Sequence, residues 1–119
     1  MLEKDIANIE DCLFAIEHIE EYMEGVSSSI ALLSDHKTYD AILMNFMVIA
    51  EASKRISPEL KEQHANISWA GVRRFRNYIA HDYFGIDIEV VWQSLKIELP
   101  KLKTDLLHIL DSFESKDEN

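Results

Sequence analysis

Arg76, Asn77, His81 and Tyr83 stand within one short run, WAGVRRFRNYIAHDYFGID at residues 69–87, and their types suit cleavage of an RNA phosphodiester without a metal ion. A histidine titrates near neutrality, so it can take a proton from a ribose 2'-hydroxyl or give one to the leaving 5'-oxygen. The planar, permanently charged fork of Arg76 suits the extra negative charge that builds on phosphorus. Asn77 could orient the imidazole or donate to a phosphate oxygen, and Tyr83 could bond a phosphate or stack on a base. As a pattern the run is Arg-x4-His-x-Tyr, with a polar residue directly after the arginine.

Placed on a helix at about 100° per residue, Arg73, Asn77 and His81 share a stripe, while Arg76 and His81 lie about 140° apart. One face does not hold both. Either the helix loosens before His81, or two copies of the motif meet across a subunit interface. Efficient transesterification needs an acid and a base, and each chain offers one well-placed histidine, which a symmetric dimer would double. Arg73 and Arg74 are candidates for RNA contact, or for pairing with an acidic residue of the first helix. On bare spacing, an arginine and a histidine at a helix end are more often a solvated surface, where an imidazolium also suits the helix dipole.

The elements that must position these residues read as helices. Leu2, Ile6, Ile9, Leu13, Ile16 and Met23 recur at helical steps, with Glu10, Glu17, Glu20, Glu21 and Glu24 on other faces, and Gly25 closes that helix. After Ser27, Ser28 and Ser29, residues 30–33 form a brief helical or irregular connection, and Ser34 or Asp35 caps the next helix. That helix is expected from about residue 36 to Ile56, stopped by Pro58. Its stretch Ala41 to Ala52 is apolar almost all round, so it is either central in the bundle or shared with a partner subunit. Pro58 to Gln63 should form one or two turns. Ser68 caps the helix that carries the arginines, which ends close to His81. Asp87 caps a last helix with Val91, Leu95, Leu99, Leu102, Leu106, Ile109 and Phe113 on its apolar side, which Pro100 should kink or interrupt. The expected fold is all-α: an antiparallel bundle of four to five helices in a single domain over residues 1–113, with a polar tail, Glu114 to Asn119, that frays.

Composition narrows the function classes. A lone cysteine, Cys12, leaves no internal disulfide, and the five scattered histidines supply no zinc-ligand spacing, so no metal site is expected. Cys12 reads as a buried small hydrophobe, and Phe75, Tyr78, Trp69 and Trp92 as residues of the core or an interface. His18, His36, His64 and His108 lie outside the motif. The longest apolar run, residues 46–50, is far below the roughly 20 residues of a membrane span, and Glu3, Lys4 and Asp5 follow Met1 where a leader would be basic then apolar; a cytoplasmic protein is expected. The net charge of -10 argues against a general nucleic-acid coat protein. Residues 54–83, however, hold six basic and three acidic residues, against two and eleven before them and four and eight after. RNA affinity should therefore be local and carried by a small cleft.

With its surroundings, the motif resembles the HepT toxins, a branch of the HEPN superfamily also grouped as DUF86. The likeness covers nearly the whole chain, from the acidic first helix through EASKRISPELKEQHANISW and RNYIAHDYFGIDIEVVW to the closing ELPKL. Arg-x4-His alone is a weak pattern; Asn77, Tyr83, the following FGID and the flanking helices make it specific. The resemblance implies a symmetric homodimer whose motifs meet in an interface cleft, acting as a metal-independent endoribonuclease toxin of a type II toxin-antitoxin pair, with no cofactor and with tRNA or mRNA as substrate. It implies Arg76 and His81 as the catalytic pair and Asn77 as the supporting polar residue. Tyr83 would be the residue that an MntA-type minimal nucleotidyltransferase antitoxin adenylylates with AMP from ATP. Such an ester would add negative charge and bulk where RNA phosphates must sit. Asp82 stands where many relatives have glycine, a negative charge that would weaken phosphate binding. The alternative is a non-catalytic HEPN regulatory module that binds a nucleotide or the nucleotidyltransferase.

Overall fold

Helices in this chain begin where a short polar side chain can take a free backbone N–H. In the computed structural model, which describes residues 2–117, α1 (Leu2–Tyr22) is followed by α2 (Ser29–Ser34), capped by Ser28, which accepts from the Ala31 N–H at 3.1 Å. Asp35 accepts from the Thr38 N–H at 3.2 Å and starts α3 (His36–Lys54). The Thr38 hydroxyl donates to the same carboxylate and, with the Thr38 N–H, holds its pKa below the ordinary value. Ser57 caps α4 (Pro58–Gln63), Ser68 caps α5 (Trp69–His81) and Asp87 caps α6 (Ile88–Gln93). The caps at Asp35, Ser68 and Asp87 are those expected from the sequence. The connection after the serines is a regular turn of helix. Gly25 has φ +82°, the left-handed geometry that favours glycine, and it closes α1.

The described chain is all-α. α1 runs antiparallel along α3: the Cys12 thiol donates to the Ile49 carbonyl at 3.5 Å near mid-helix, and Asp5 meets Ser57 at the far end. On another side of α3, Phe75 of α5 sets its ring edge-on to Phe46, centroids 4.9 Å apart. So α3 is central, one of the two arrangements its composition allowed. Ile9, Ile16, Ile19, Ile42 and Ile49 are excluded from water, each burial being worth about 1.5–3 kcal/mol. Cys12 is buried among them, and burial, with the nearby Asp11 charge, pushes its thiol up to about 12. It is the small hydrophobe the sequence implied.

Pro100 does not interrupt the last helix. The five residues before Leu99, Ser94–Glu98, widen into a π turn, with the Leu99 N–H donating to the Ser94 carbonyl, and α7 (Leu99–Asp117) continues from it. A proline has no N–H to donate and its ring crowds the carbonyl four residues back; the wide turn absorbs both defects without a break. With no Gly or Pro after Pro100, α7 runs to Asp117, beyond the Glu114 boundary at which the tail was expected to begin; residues 118–119 lie outside the described residues. No helix among the described residues is long and apolar enough to cross a membrane.

Asp5 joins the start of α1 to the turn that feeds α4. It is 5% exposed and accepts from the Ser57 N–H at 2.8 Å and the Ser57 hydroxyl at 2.7 Å. Asp5→Ala leaves both donors without their acceptor and should cost about 1–3 kcal/mol, read as a lower denaturation midpoint with an unchanged m-value. Asp5→Asn, which keeps one acceptor oxygen, should lose less.

Candidate functional site

α5 stays regular to its end. The Asp82 N–H still donates to the Tyr78 carbonyl at 3.1 Å, so His81 keeps its helical position. The loosening that would have swung His81 toward Arg76 is absent. Arg76 leans toward α3, its Nε 3.9 Å from Glu51 Oε1, and its Nη1 donates to Asn77 Oδ1 at 3.4 Å. The Glu51 contact is too long for a hydrogen bond, which leaves the guanidinium able to turn onto another anion. His81 is exposed, and among the described residues its side chain makes no hydrogen bond or ion pair. One chain therefore brings Arg76 and Asn77 together, while His81, one turn beyond Asn77 on its stripe, lies on a different face from Arg76.

Among the described residues neither Arg73 nor Arg74 pairs with the first helix, which was one of the two alternatives the sequence left open. Among the described residues the acid of α1 that forms an ion pair is Glu20, which takes Lys103 of α7 at 2.9 Å. Arg73 instead stands close enough to Lys61 to help burial lower the lysine's pKa. Arg74 lines a cleft of about 740 Å³ between α5 and the α6–α7 rod, floored by Phe46, Val72, Phe75, Leu99 and Leu102.

Beyond His81 a single 3₁₀ turn, Tyr83–Gly85, carries the last motif residue. The Gly85 N–H donates to the Asp82 carbonyl at 2.9 Å. A Cβ on Gly85 would stand 2.5 Å from Asp82 Oδ1, so only glycine lets the Asp82 carboxylate fold over its own turn. At the exit, the Asp87 N–H donates to the Tyr78 hydroxyl at 2.7 Å, tying the turn back to α5. The Tyr83 hydroxyl donates to Asp40 Oδ1 of α3 at 2.5 Å. That bond, with a smaller contribution from desolvation, raises the Tyr83 phenol above its ordinary pKa of 10.0. Phe84 projects wholly into solvent, edge-on to Tyr83.

Asp40 and Glu51 are the contacts of the motif residues that reasoning from the motif missed. Both lie on α3, far from the motif in sequence. The available signal was that Glu51 is the lone charge within Ala41 to Ala52, and that residues 40, 44, 48 and 51 share one helical face. Between the two acids that face exposes Met44 and Val48. Together with Phe14 and His18 of α1 they line a groove of about 500 Å³ that reaches Glu51, the residue beside Arg76.

Comparison with known proteins decides the family, because residues 12–109 match the family described as ribonuclease HepT-like. The chain belongs to that family. A probable ribonuclease HepT of Thermococcus cleftensis is 38% identical over 95 residues, covering 80% of this chain and 86% of the relative. A Methanocaldococcus jannaschii protein, named by inference as an RNase, is 28% identical over 120 residues, spanning 100% of this chain and 98% of its own length. A second protein of that organism, named as a gamma-glutamylcyclotransferase and inferred RNase, is 30% identical over 107 residues, 90% of this chain but 48% of the relative. No solved structure matches.

In this HepT-like chain the state of Tyr83 is directly measurable. Its phenolate absorbance, obtained as the difference between wild type and Tyr83→Phe, should emerge at higher pH than that of free tyrosine. Asp40→Ala should bring it back down, because the phenol's hydrogen bond to a carboxylate favours the protonated form.

Proposed function

We propose that this protein is a metal-independent endoribonuclease, the toxin of a toxin-antitoxin pair acting on tRNA or mRNA in the cytoplasm, with Arg76 and His81 as its catalytic pair. The observation that carries the reading is the unbroken α5: Arg76 and His81 sit about 140° apart on a rigid helix, which suits a site assembled from two copies of the chain. The family and the RNase names of the relatives support RNA as the substrate.

In such a composite site, one His81 takes the 2'-hydroxyl proton as that oxygen attacks phosphorus. The other, protonated, gives its proton to the departing 5'-oxygen, leaving a cyclic phosphate. General acid and base assistance of this kind contributes on the order of 10² to 10⁴-fold each. Arg76, released from its long contact with Glu51, neutralises the charge that grows on the phosphoryl oxygens, while Asn77 holds its guanidinium or a phosphate oxygen. Arg73 and Arg74 are further RNA contacts in this reading. Their lack of an acidic partner among the described residues suits it.

The proposed dimer covers the exposed Phe14, Met44 and Val48, an apolar strip beside Arg76 that burial would favour. Tyr83 is the proposed target of an MntA-type nucleotidyltransferase antitoxin. Its ring is partly exposed on the turn directly after the helix that ends at His81, so an AMP ester there would put bulk and negative charge where the substrate phosphate must come.

The test is cleavage of end-labelled tRNA and a model mRNA in EDTA. Wild type should cut, while His81→Ala and Arg76→Ala should lose at least about 10²-fold with the helical content kept. Cleavage that survives both substitutions would refute the assignment. If wild type carrying no AMP on Tyr83 cuts neither RNA, the regulatory-module alternative stands in its place. A second prediction concerns assembly: Met44→Glu should shift the protein from dimer to monomer in sedimentation velocity and abolish cleavage with it.

A further inference from the structure

We propose that Asp40 is the general base for covalent modification of Tyr83, so that this chain supplies part of the catalytic apparatus for its own nucleotidylation. The inference rests on the reading of Tyr83 as an acceptor of AMP and adds the group that activates it. At neutral pH only about one phenol in a thousand is ionised, and a neutral hydroxyl is a weak nucleophile that needs an adjacent base. The one acceptor that the Tyr83 hydroxyl has among the described residues is Asp40 Oδ1, at 2.5 Å, within the range of charge-assisted O–H···O⁻ bonds. In the resting pair the proton stays on the phenol, since the carboxylate is much the weaker base for a whole proton. As the tyrosyl oxygen closes on phosphorus its proton becomes acidic, and Asp40 is already placed to receive it.

The step balances as follows. The Oη–Pα bond of the tyrosyl ester forms, and the bond from Pα to the bridging oxygen of ATP breaks. The electron pair leaves with pyrophosphate, and the phenolic proton passes to Asp40 and then to solvent. ATP is the co-reactant, held by the transferase.

Position and access both favour this role. Asp40 follows the buried Tyr39 in α3, an element fixed by the Asp35 cap and by its place at the centre of the bundle, so the carboxylate is held from a rigid helix. Asp40 itself is exposed and Tyr83 is 44% exposed, leaving room for a bulky phosphoanhydride to approach. The titratable groups around the pair are Tyr39 on α3, Tyr78 on α5, and His81 and Asp82 just before Tyr83 in the chain. None of these groups is bonded to the Tyr83 hydroxyl in the structure. Once the ester has formed it has no proton to donate, so the bond to Asp40 ends and two negative groups are left side by side. The Asp40–Tyr83 tie between the 3₁₀ turn and α3 is then lost.

The experiment measures AMP incorporation from radiolabelled ATP by the purified nucleotidyltransferase into wild type, Asp40→Asn and Asp40→Glu, with mass spectrometry to locate the label. Asparagine keeps an oxygen that accepts the same hydrogen bond but does not take the proton. The Asn variant should be modified on the order of 10²-fold more slowly with its helical content kept, and the Glu variant should recover part of the rate. Between about pH 7.5 and 9.5, above the ordinary range of histidine, the wild-type rate should be nearly flat. The Asn rate should climb with pH, because it depends on tyrosinate formed beforehand. Equal rates and equal pH profiles for wild type and the Asn variant would overturn the role of Asp40 alone and leave Tyr83 as the acceptor. Wild-type protein that takes no AMP on Tyr83 would overturn that reading and this inference together.

Discussion

The packing of α3 between α1 and α5 is the constraint on which the rest depends. Its buried residues, Ile42, Leu43, Phe46 and Ile49, hold two antiparallel neighbours at fixed rotation, and a helix whose rotation is fixed presents each side chain in one direction only. That is why the exposed strip of α3 lies beside the motif helix, and why Asp40 and Glu51, three helical turns apart, reach Tyr83 and Arg76 at opposite ends of it. If α3 turned about its axis by one residue's worth, about 100°, both acids would leave the motif and the apolar strip would leave the surface.

The charges of the motif are held loosely by design of the geometry. Arg76 has a carboxylate at a distance where Coulomb attraction in solvent is about 1 kcal/mol, and Tyr83 has a short neutral-to-ionic bond. These contacts orient the groups without consuming them. In the proposed reaction, a tight bidentate pair to Arg76 would have to be broken before a phosphate could bind, at a cost the substrate would have to repay. Gly85 serves the same end on the turn: by letting Asp82 fold over its own backbone, it gives this extra acid a local place in the 3₁₀ turn.

The far side of α5 follows from a different constraint. Pro100 imposes a π turn at Ser94–Glu98, and along that stretch the α6–α7 rod stands off from α5, leaving a cleft with an apolar floor. α5 is thus anchored on one flank by Phe75 against Phe46 and at its end by the Tyr78 hydroxyl at Asp87. Its end is further fixed by the Asp82 N–H, which donates to the Tyr78 carbonyl.

The order of the helices, their caps at Asp35, Ser68 and Asp87, the burial of Cys12 and the residues of the motif were legible in the sequence, whereas the expected four to five helices are divided into seven α-helical segments among the described residues. Periodicity and capping are local properties, set by neighbours within about four positions. The family could be named for the same reason, since its signature lies in one contiguous run. The partners of that run were not legible. Asp40 and Glu51 meet Tyr83 and Arg76 only because α3 and α5 cross in a particular register, and register is decided by how Phe46, Phe75 and the isoleucines interlock in the core. The spacing left open whether α5 would loosen before His81, and Pro100 read as a kink or a break. Tertiary packing kept α5 straight and turned the defect at Pro100 into a widened turn, because the buried stripe on each side of a local fault would lose more by unpacking than the backbone would gain by letting go.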